Sequence, residues 1–435
     1  MKKLLVLLFI TGSAFGQDKL EVISMEETRR IEATLSSDEM QGRRTFTPGI
    51  EKAGQFIASE FEKIGLKKWG NSNSFLQSFA MIRPKVISAQ IQLNRLDADN
   101  LDINTIPKAV KFSINSVQKS LSITEKSGYD IANIPRGANF VTEWRKYLSA
   151  TKNTIVFVDS THEPIFTRAT QRGGQFYQTQ PNIVFIISNQ TPTKFKIEVT
   201  QDLTEMPLAN VVGIIPGKSK ANEYVIFSGH YDHLGINTRN MKDNDSIYNG
   251  ANDDAAGTTA MIMLAKYYKA LNQNERTLVF AAFTAEEIGG FGATYFSKQF
   301  DPKQVMAMFN IEMIGTESKW GKNSAYITGF DKTNMGEILQ KNLEGTGFTF
   351  HPDPYPDQQL FYRSDNATLA RLGVPAHTIS TAKMDQEPHY HKASDEIGTL
   401  NMDNMSAIIR AIALSARGIV AGKETPSRVD ISSLR

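Results

Sequence analysis

An α/β fold is predicted, with helices on both faces of a mixed, mostly parallel central sheet and a β-rich segment inserted into the chain. Three observations point there. From residue 206 onward, short apolar strands (NVVGIIP, YVIFSGH, RTLVFAAFTA, VMAMFNIEM) alternate with helical stretches such as TTAMIMLAKYYKAL, which is the pattern of a sheet covered on both faces. Between 86 and 205 the texture changes to Ile, Val, Thr and Phe runs, NTIVFVDS and PNIVFIISN among them, separated by polar turns, and helical periodicity largely disappears. A length of 435 residues accommodates one large domain carrying such an insertion.

Taken in order, MKKLLVLLFITGSAFGQ opens the chain with a Lys pair, an apolar run too short to span a bilayer, and small residues at Ala14 and Gly16. That pattern predicts a secretory signal over residues 1–16, cleaved near Gly16, with no stable membrane insertion afterwards. Residues 17–85 and 206–425 form the expected main domain, 86–205 the inserted subdomain and 426–435 a polar tail. Within PGIEKAGQFIASEFEKIGL, Ile50, Ala53, Ile57, Phe61 and Ile64 recur at helical spacing until Gly65. A closing helix is expected over roughly 403–421, with Met405, Ile408, Ile409, Ile412 and Ala413 on one side.

Composition narrows the chemistry. Lys plus Arg (48) nearly cancels Asp plus Glu (46), so no basic surface for nucleic acid is expected. The chain has no cysteine, which excludes disulfides, thiolate metal sites and a Cys nucleophile. Any bound metal must use His, Asp and Glu. An exported chain without disulfides fits a bacterial periplasm or the medium.

Charged clusters fall where apolar strands end, which is where open α/β sheets build sites. In YVIFSGHYDHLG, His230 follows the strand and Asp232, two residues on, faces the same way as a partner for the imidazole. In SIYNGANDDAAGT, Asp253 and Asp254 precede a helix; capping accounts for one carboxylate, and a nearby cation accounts for the pair. Glu286 and Glu287 end the strand of AAFTAEEIGGFGATYF, and Glu312 ends that of FNIEMIG. Buried unpaired, such carboxylates would cost several kcal/mol. EPHYHKASDE adds His389 and His391, with Asp395 beyond. Each cluster alone has an ordinary structural explanation. Together they are the inventory of a two-metal hydrolase, in which one carboxylate bridges the ions and one Glu of a pair acts as general base.

The ordered set SGHYDHLG, NGANDDAAG, FTAEEIGGFGA, NIEMIG, SDNATLARLGVPA and YHKASDE resembles family twenty-eight of the metallopeptidases, the di-zinc aminopeptidases related to glutamate carboxypeptidase II and glutaminyl cyclases. The resemblance covers about 206–421, and QGRRTFTPGIEKAGQFIASEFEKIGL is similar to the family's opening segment. It implies a zinc exopeptidase-type three-layer α/β/α fold and two Zn2+ per chain. His230 and Glu312 would bind one ion, Glu287 and His391 the other, and Asp253 would bridge them. Glu286 matches the general base, Asp232 the carboxylate orienting the first His, and Tyr390 a Tyr that hydrogen-bonds the oxyanion. The peptide after Asp253 would be cis.

Two positions depart from the family: Glu312 stands where many members have Asp, and Ser364, Asp365 and Asn366 replace a Ser-Asp-His. The insert loosely resembles a protease-associated domain. The function implied is an exported zinc aminopeptidase acting on peptides. Alternatives are a carboxypeptidase, for which Arg363 is the available cation, a glutaminyl cyclase, and an inactive peptide-binding module on the same scaffold.

Overall fold

The computed structural model describes residues 19–96, 102–103, 110–148, 150–171, 181–239, 241 and 244–434. The expected signal at 1–16 lies outside them. The chain forms two compact units, one made of residues up to Phe79 and from Leu208 onward, the other of Ala80–Pro207. The chain crosses between them within two long strands, Leu76–Leu93 and Phe195–Ile215. No polar linker therefore marks either boundary in the sequence.

In the first unit the sheet runs in the order Lys67–Lys68, Phe195–Ile215, Arg276–Phe283, Lys220–His230, Val305–Ile311, Ala376–Ser380, Ser324–Ile327, Thr349–Pro352. The inner strands from Arg276–Phe283 to Ala376–Ser380 are parallel. Antiparallel pairing occurs toward the edges, where Val211–Ile215 meets Leu278–Ala282 and Tyr326 meets Ser380.

Every residue of Arg276–Phe283 is buried, as expected of a strand covered on both faces. The two-residue alternation of side chains sorts these strands into two cores. Leu278, Phe280, Val225, Phe227, Ala307 and Phe309 pack with helices Met25–Leu35, Pro48–Ile64, Ala256–Leu271 and Met402–Ser415. Val279, Ala281, Phe283, Ile226 and Met308 pack with Phe291–Ser297 and Asn366–Ala370 on the other side. Phe227 stacks between Phe280 and Phe309, with centroids 5.6 and 4.9 Å away. Each ring buried this way contributes about 1.5–3 kcal/mol.

The helix over Pro48–Ile64 starts with Pro in its first turn and ends at Gly65, whose φ of 75° is left-handed. The closing segment is two helices, Met402–Ser415 and Arg417–Val420, broken at Ala416, where one continuous helix was expected.

The second unit contains more helix than its sequence suggests. A four-stranded sheet, ordered Phe112–Asn115, Ile183–Ile187, Thr154–Val158, Asp130–Ile134, is flanked by helices Phe140–Leu148 and Glu163–Gln171. Its last three strands are parallel, so helices must cross over between them. Trp144 explains why so polar a helix docks: its ring stacks on Phe185 at 4.0 Å and meets Phe166 edge-on.

Candidate metal centre

The parallel strands of the first unit end side by side, and their ends carry the charges. His230 is the last residue of Lys220–His230, Glu286 and Glu287 follow Arg276–Phe283, and Glu312 follows Val305–Ile311. Asp253 and Asp254 sit in the turn Ala251–Ala255 that leads into Ala256–Leu271, joined by a cis peptide bond. Such a turn crowds its neighbours: a Cβ added at Gly229 would lie 2.7 Å from the carbonyl carbon of Gly257. Small residues bring strand and helix into contact there.

Asp253 is the hub. Its Oδ1 lies 3.2 Å from His230 Nε2, and its Oδ2 lies 3.2 Å from His391 Nε2. Glu287 Oε2 approaches the same His391 nitrogen at 3.2 Å. His230, Asp253 and Glu312 present ligand atoms within 4.8 Å of one another. Of the residues the sequence nominates, the structure gathers His230, Asp253, Glu287, Glu312 and His391 around one carboxylate. His389 is not among them; its Nδ1 contacts Ser394 Oγ at 3.0 Å.

The neighbouring carboxylates hold backbone. Asp254 accepts the N–H groups of His230, Gly257 and Met313 at 3.0–3.1 Å, so one buried side chain fixes three segments of the site. Asp232 grips differently from the expectation that it orients the imidazole. Its carboxylate accepts from Glu286 N and Glu287 N at 3.0 and 3.3 Å and stands 3.8 Å from His230 Nδ1. The imidazole nitrogen meets the Asp232 backbone carbonyl instead, at 3.1 Å. The turn after Phe283 leaves Ala285 at a φ of 61°, and Asp232 clamps it from the next strand.

Tyr390 stacks on the His391 ring at 3.9 Å and lines the cavity against Glu312. Ser364 Oγ accepts from Asn310 Nδ2 at 2.7 Å. Asn366, one of the two noted departures from the family's pattern, donates to Phe361 O and accepts from Thr378 Oγ1, a satisfied buried position. Asp365 is buried with no hydrogen-bond partner on either oxygen among the described residues, and burial raises its carboxyl to about 8.

Two residues escaped the sequence reading. His233 is buried, with Nδ1 2.7 Å from Glu287 Oε1, and groups with Asp253 and Glu287. Its only signal was membership of HYDH, directly after Asp232. Arg43 is fully buried and donates to four backbone carbonyls, those of Leu35, Tyr231, Asn249 and Gly250, at 2.5–2.9 Å. It thereby joins the loop after His230 to the loop before Asp253.

The cluster suits divalent cations. Asp253 and Asp365 are buried and Glu286, Glu287 and Glu312 half-buried, while Arg43 is committed to carbonyls. Among the described residues His230 Nε2 has no aligned hydrogen bond despite its 3.2 Å approach to Asp253, and His233 Nε2 has no hydrogen-bond partner. Without a cation, protons supply the missing positive charge. Burial, with Glu312, Asp365 and Asp232 nearby, pushes the Glu286 carboxyl well up, and burial with Asp253 and Glu287 nearby raises Glu312. Burial alone would lower His391, but Asp253 and Glu287 hold its imidazole up at about 10. Imidazole and carboxylate donors without thiols suit zinc or another borderline-hard divalent ion.

Comparison with known proteins agrees with this picture. A probable leucine aminopeptidase of Trichophyton verrucosum is 30% identical over 206 residues, which are 45% of this chain and 53% of that protein. The aminopeptidase YwaD of Bacillus subtilis is 29% identical over 223 residues, 46% of this chain and 42% of that one. The chain thus spans about half the length of these curated relatives. The fold matches the aminopeptidase of Aneurinibacillus sp. strain AM-1 (TM-score 0.54, 16% identity, 96% of this chain and 98% of that one). It also matches a zinc aminopeptidase of Bacillus subtilis (TM-score 0.53, 16% identity, 94% and 99%). Residues 210–416, which carry the histidines and carboxylates of the cluster, match the model of peptidase family M28.

Proposed function

We propose that this chain is an exported zinc-dependent aminopeptidase that removes the N-terminal residue of peptides. The observation that carries the reading is Asp253, whose two oxygens face two different histidines and so can be shared between two cations. His230, Asp253 and Glu312 would hold one zinc, and Asp253, Glu287 and His391 the other. Zinc supplies a Lewis acid for the scissile carbonyl and makes water acidic enough to attack near neutral pH.

The protein does the rest. Glu286, held by the Asp232 carboxylate through its backbone N–H, takes a proton from the attacking water and delivers it to the leaving amine. Tyr390, fixed by stacking on His391, is positioned to donate its hydroxyl to the developing oxyanion. The aminopeptidase names of the M28 relatives support attack at the N-terminus. Export rests on the signal-like residues 1–16. Among the described residues no helix is long and apolar enough to cross a membrane.

One observation favours a second reading. Arg363 lines the cavity beside Glu312, where a carboxypeptidase would bind a free terminal carboxylate. A panel of aminoacyl and peptidyl amides, blocked at either end and assayed with and without chelator, separates the two. Aminopeptidase action requires a free amine, tolerates a blocked carboxylate and stops with chelation; the reverse terminal preference overturns it.

A further inference from the structure

Two cavities adjoin the cluster, and they differ in size and in the number of arginines, one (Arg363) in the smaller and two in the larger. The one against Glu312 has a volume of about 40 Å³, and Tyr326, Thr328, Thr378 and Ala382 contribute to its wall. That is space for a few water-sized groups, enough for one side chain. The other, against Glu287 and His391, is about 750 Å³, the size of a small-ligand pocket, and Arg44 and Arg239 stand in its wall. A terminal residue needs room for a single side chain, whereas the remainder of a peptide needs the larger space. The larger cavity is therefore the leaving side.

The two arginines give that side its character. Arg44 is held by shape: a Cβ built on Gly235, whose φ is 82°, would lie 2.6 Å from Arg44 Cβ and 3.0 Å from its Cδ, so the stem runs across a bare glycine. Arg239 sits in the same loop, its backbone N–H donating to Asn237 Oδ1 at 3.1 Å. Among the described residues neither guanidinium has an ion-pair partner. Two cations beside a cavity are unfavourable for a peptide's free ammonium and favourable for a carboxylate. A sphere of 750 Å³ is about 11 Å across, and a chain advances at most ~3.3–3.6 Å per residue, so the cavity spans about one to three residues.

We propose that Arg44 and Arg239 bind a carboxylate one or two residues beyond the cleaved bond, so that the preferred substrates are short peptides carrying that charge close to the bond. The proposal rests on the aminopeptidase reading. The carboxylate can come from a free C-terminus or from an acidic side chain, and both satisfy the same guanidinium chemistry.

The test compares leucyl-alanine, leucyl-alanine amide, leucyl-aspartyl amide and acetyl-leucyl-alanine on the zinc-loaded chain. The dipeptide is expected to exceed its amide in kcat/KM by about tenfold, with leucyl-aspartyl amide recovering part of the gap if a side-chain carboxylate also reaches the arginines. The Arg44→Gln/Arg239→Gln variant brings the ratio of dipeptide to amide close to one, and the Arg44→Lys/Arg239→Lys variant keeps part of it. Glu286→Gln protein, titrated with the same peptides, should bind the dipeptide more tightly than the amide, a readout independent of turnover. Equal cleavage and equal binding of dipeptide and amide overturn the proposal and leave the aminopeptidase reading standing. Cleavage of the acetylated peptide in preference to the free one overturns that reading itself.

Discussion

Asp395 accepts the backbone N–H groups of Asn252 and Asp253 through its two separate oxygens, at 2.9 and 3.0 Å, and so ties the loop of His391 to the loop of Asp253. Its own carbonyl accepts from Ala251 N at 3.1 Å. His391 and Asp253, assigned to one ion above, are thus held in register by a carboxylate that grips backbone N–H groups. Asp395→Asn keeps one acceptor and turns an amide N–H toward the other donor. Zinc affinity at the His391 side should fall about 10–100-fold, the usual loss when a group supporting a ligand is changed. A competitive chelator titration resolving two classes of site checks it; identical affinities in both proteins would assign Asp395 to loop stability alone.

Glu286 is the one carboxylate at this centre whose proposed work is proton transfer. Glu286→Gln preserves size and the backbone N–H held by Asp232. Zinc content should stay at wild-type level while kcat falls by about 10²–10⁴, the range ascribed to positioned acid–base groups. Metal analysis beside steady-state kinetics tests both halves. Near-normal turnover in a zinc-loaded variant removes Glu286 from the role.

Glu287 stands between two histidines, with Oε1 2.7 Å from His233 Nδ1 and Oε2 3.2 Å from His391 Nε2. In the function proposed above, His391 is the ligand and His233, at the shorter contact, aims the carboxylate. His391→Ala should then lose one zinc per chain, while His233→Ala keeps both with weaker binding of one. Zinc counts on the two purified variants decide it. The opposite pattern exchanges the two assignments.

The legible part of this site is what a strand end exposes. His230, Glu286 and Glu312 stand directly after apolar strands, and charge in such a place demands compensation that can be inferred from residue order alone. Asp253 against Asp254 was less legible, because which carboxylate faces the histidines depends on the turn before Ala256–Leu271. His233 and Arg43 were hidden for a related reason. Their partners lie 54 and some 200 residues away, at Glu287 and at Asn249 and Gly250, and only the folded sheet brings them together. In the inserted unit, Trp144 docks a helix whose remaining face is polar, and a short helix with two buried residues leaves little periodicity to detect.

Glu32 provides a test that does not depend on metal chemistry. It is fully buried on Met25–Leu35, accepts from Thr259 Oγ1 at 2.9 Å through one oxygen, and has no partner for the other. Burial raises its carboxyl from an ordinary 4.5 to about 8, against the opposing pull of the Thr259 hydroxyl and of the Arg43 guanidinium. Between those two values the folded chain binds a proton that the unfolded chain has released. Stability is therefore fully retained below about pH 4.5, falls as pH rises through the window, and levels off above about pH 8. Across the whole window the loss from this one group is on the order of 5 kcal/mol. Glu32→Gln keeps an acceptor for Thr259 and removes the titration, so the variant should match the wild type near pH 5 and exceed it at pH 8–9. Urea unfolding midpoints of the two proteins across that range measure the difference. Curves that run parallel from acid to base would mean that Glu32 stays charged in the fold, compensated by Arg43 after all.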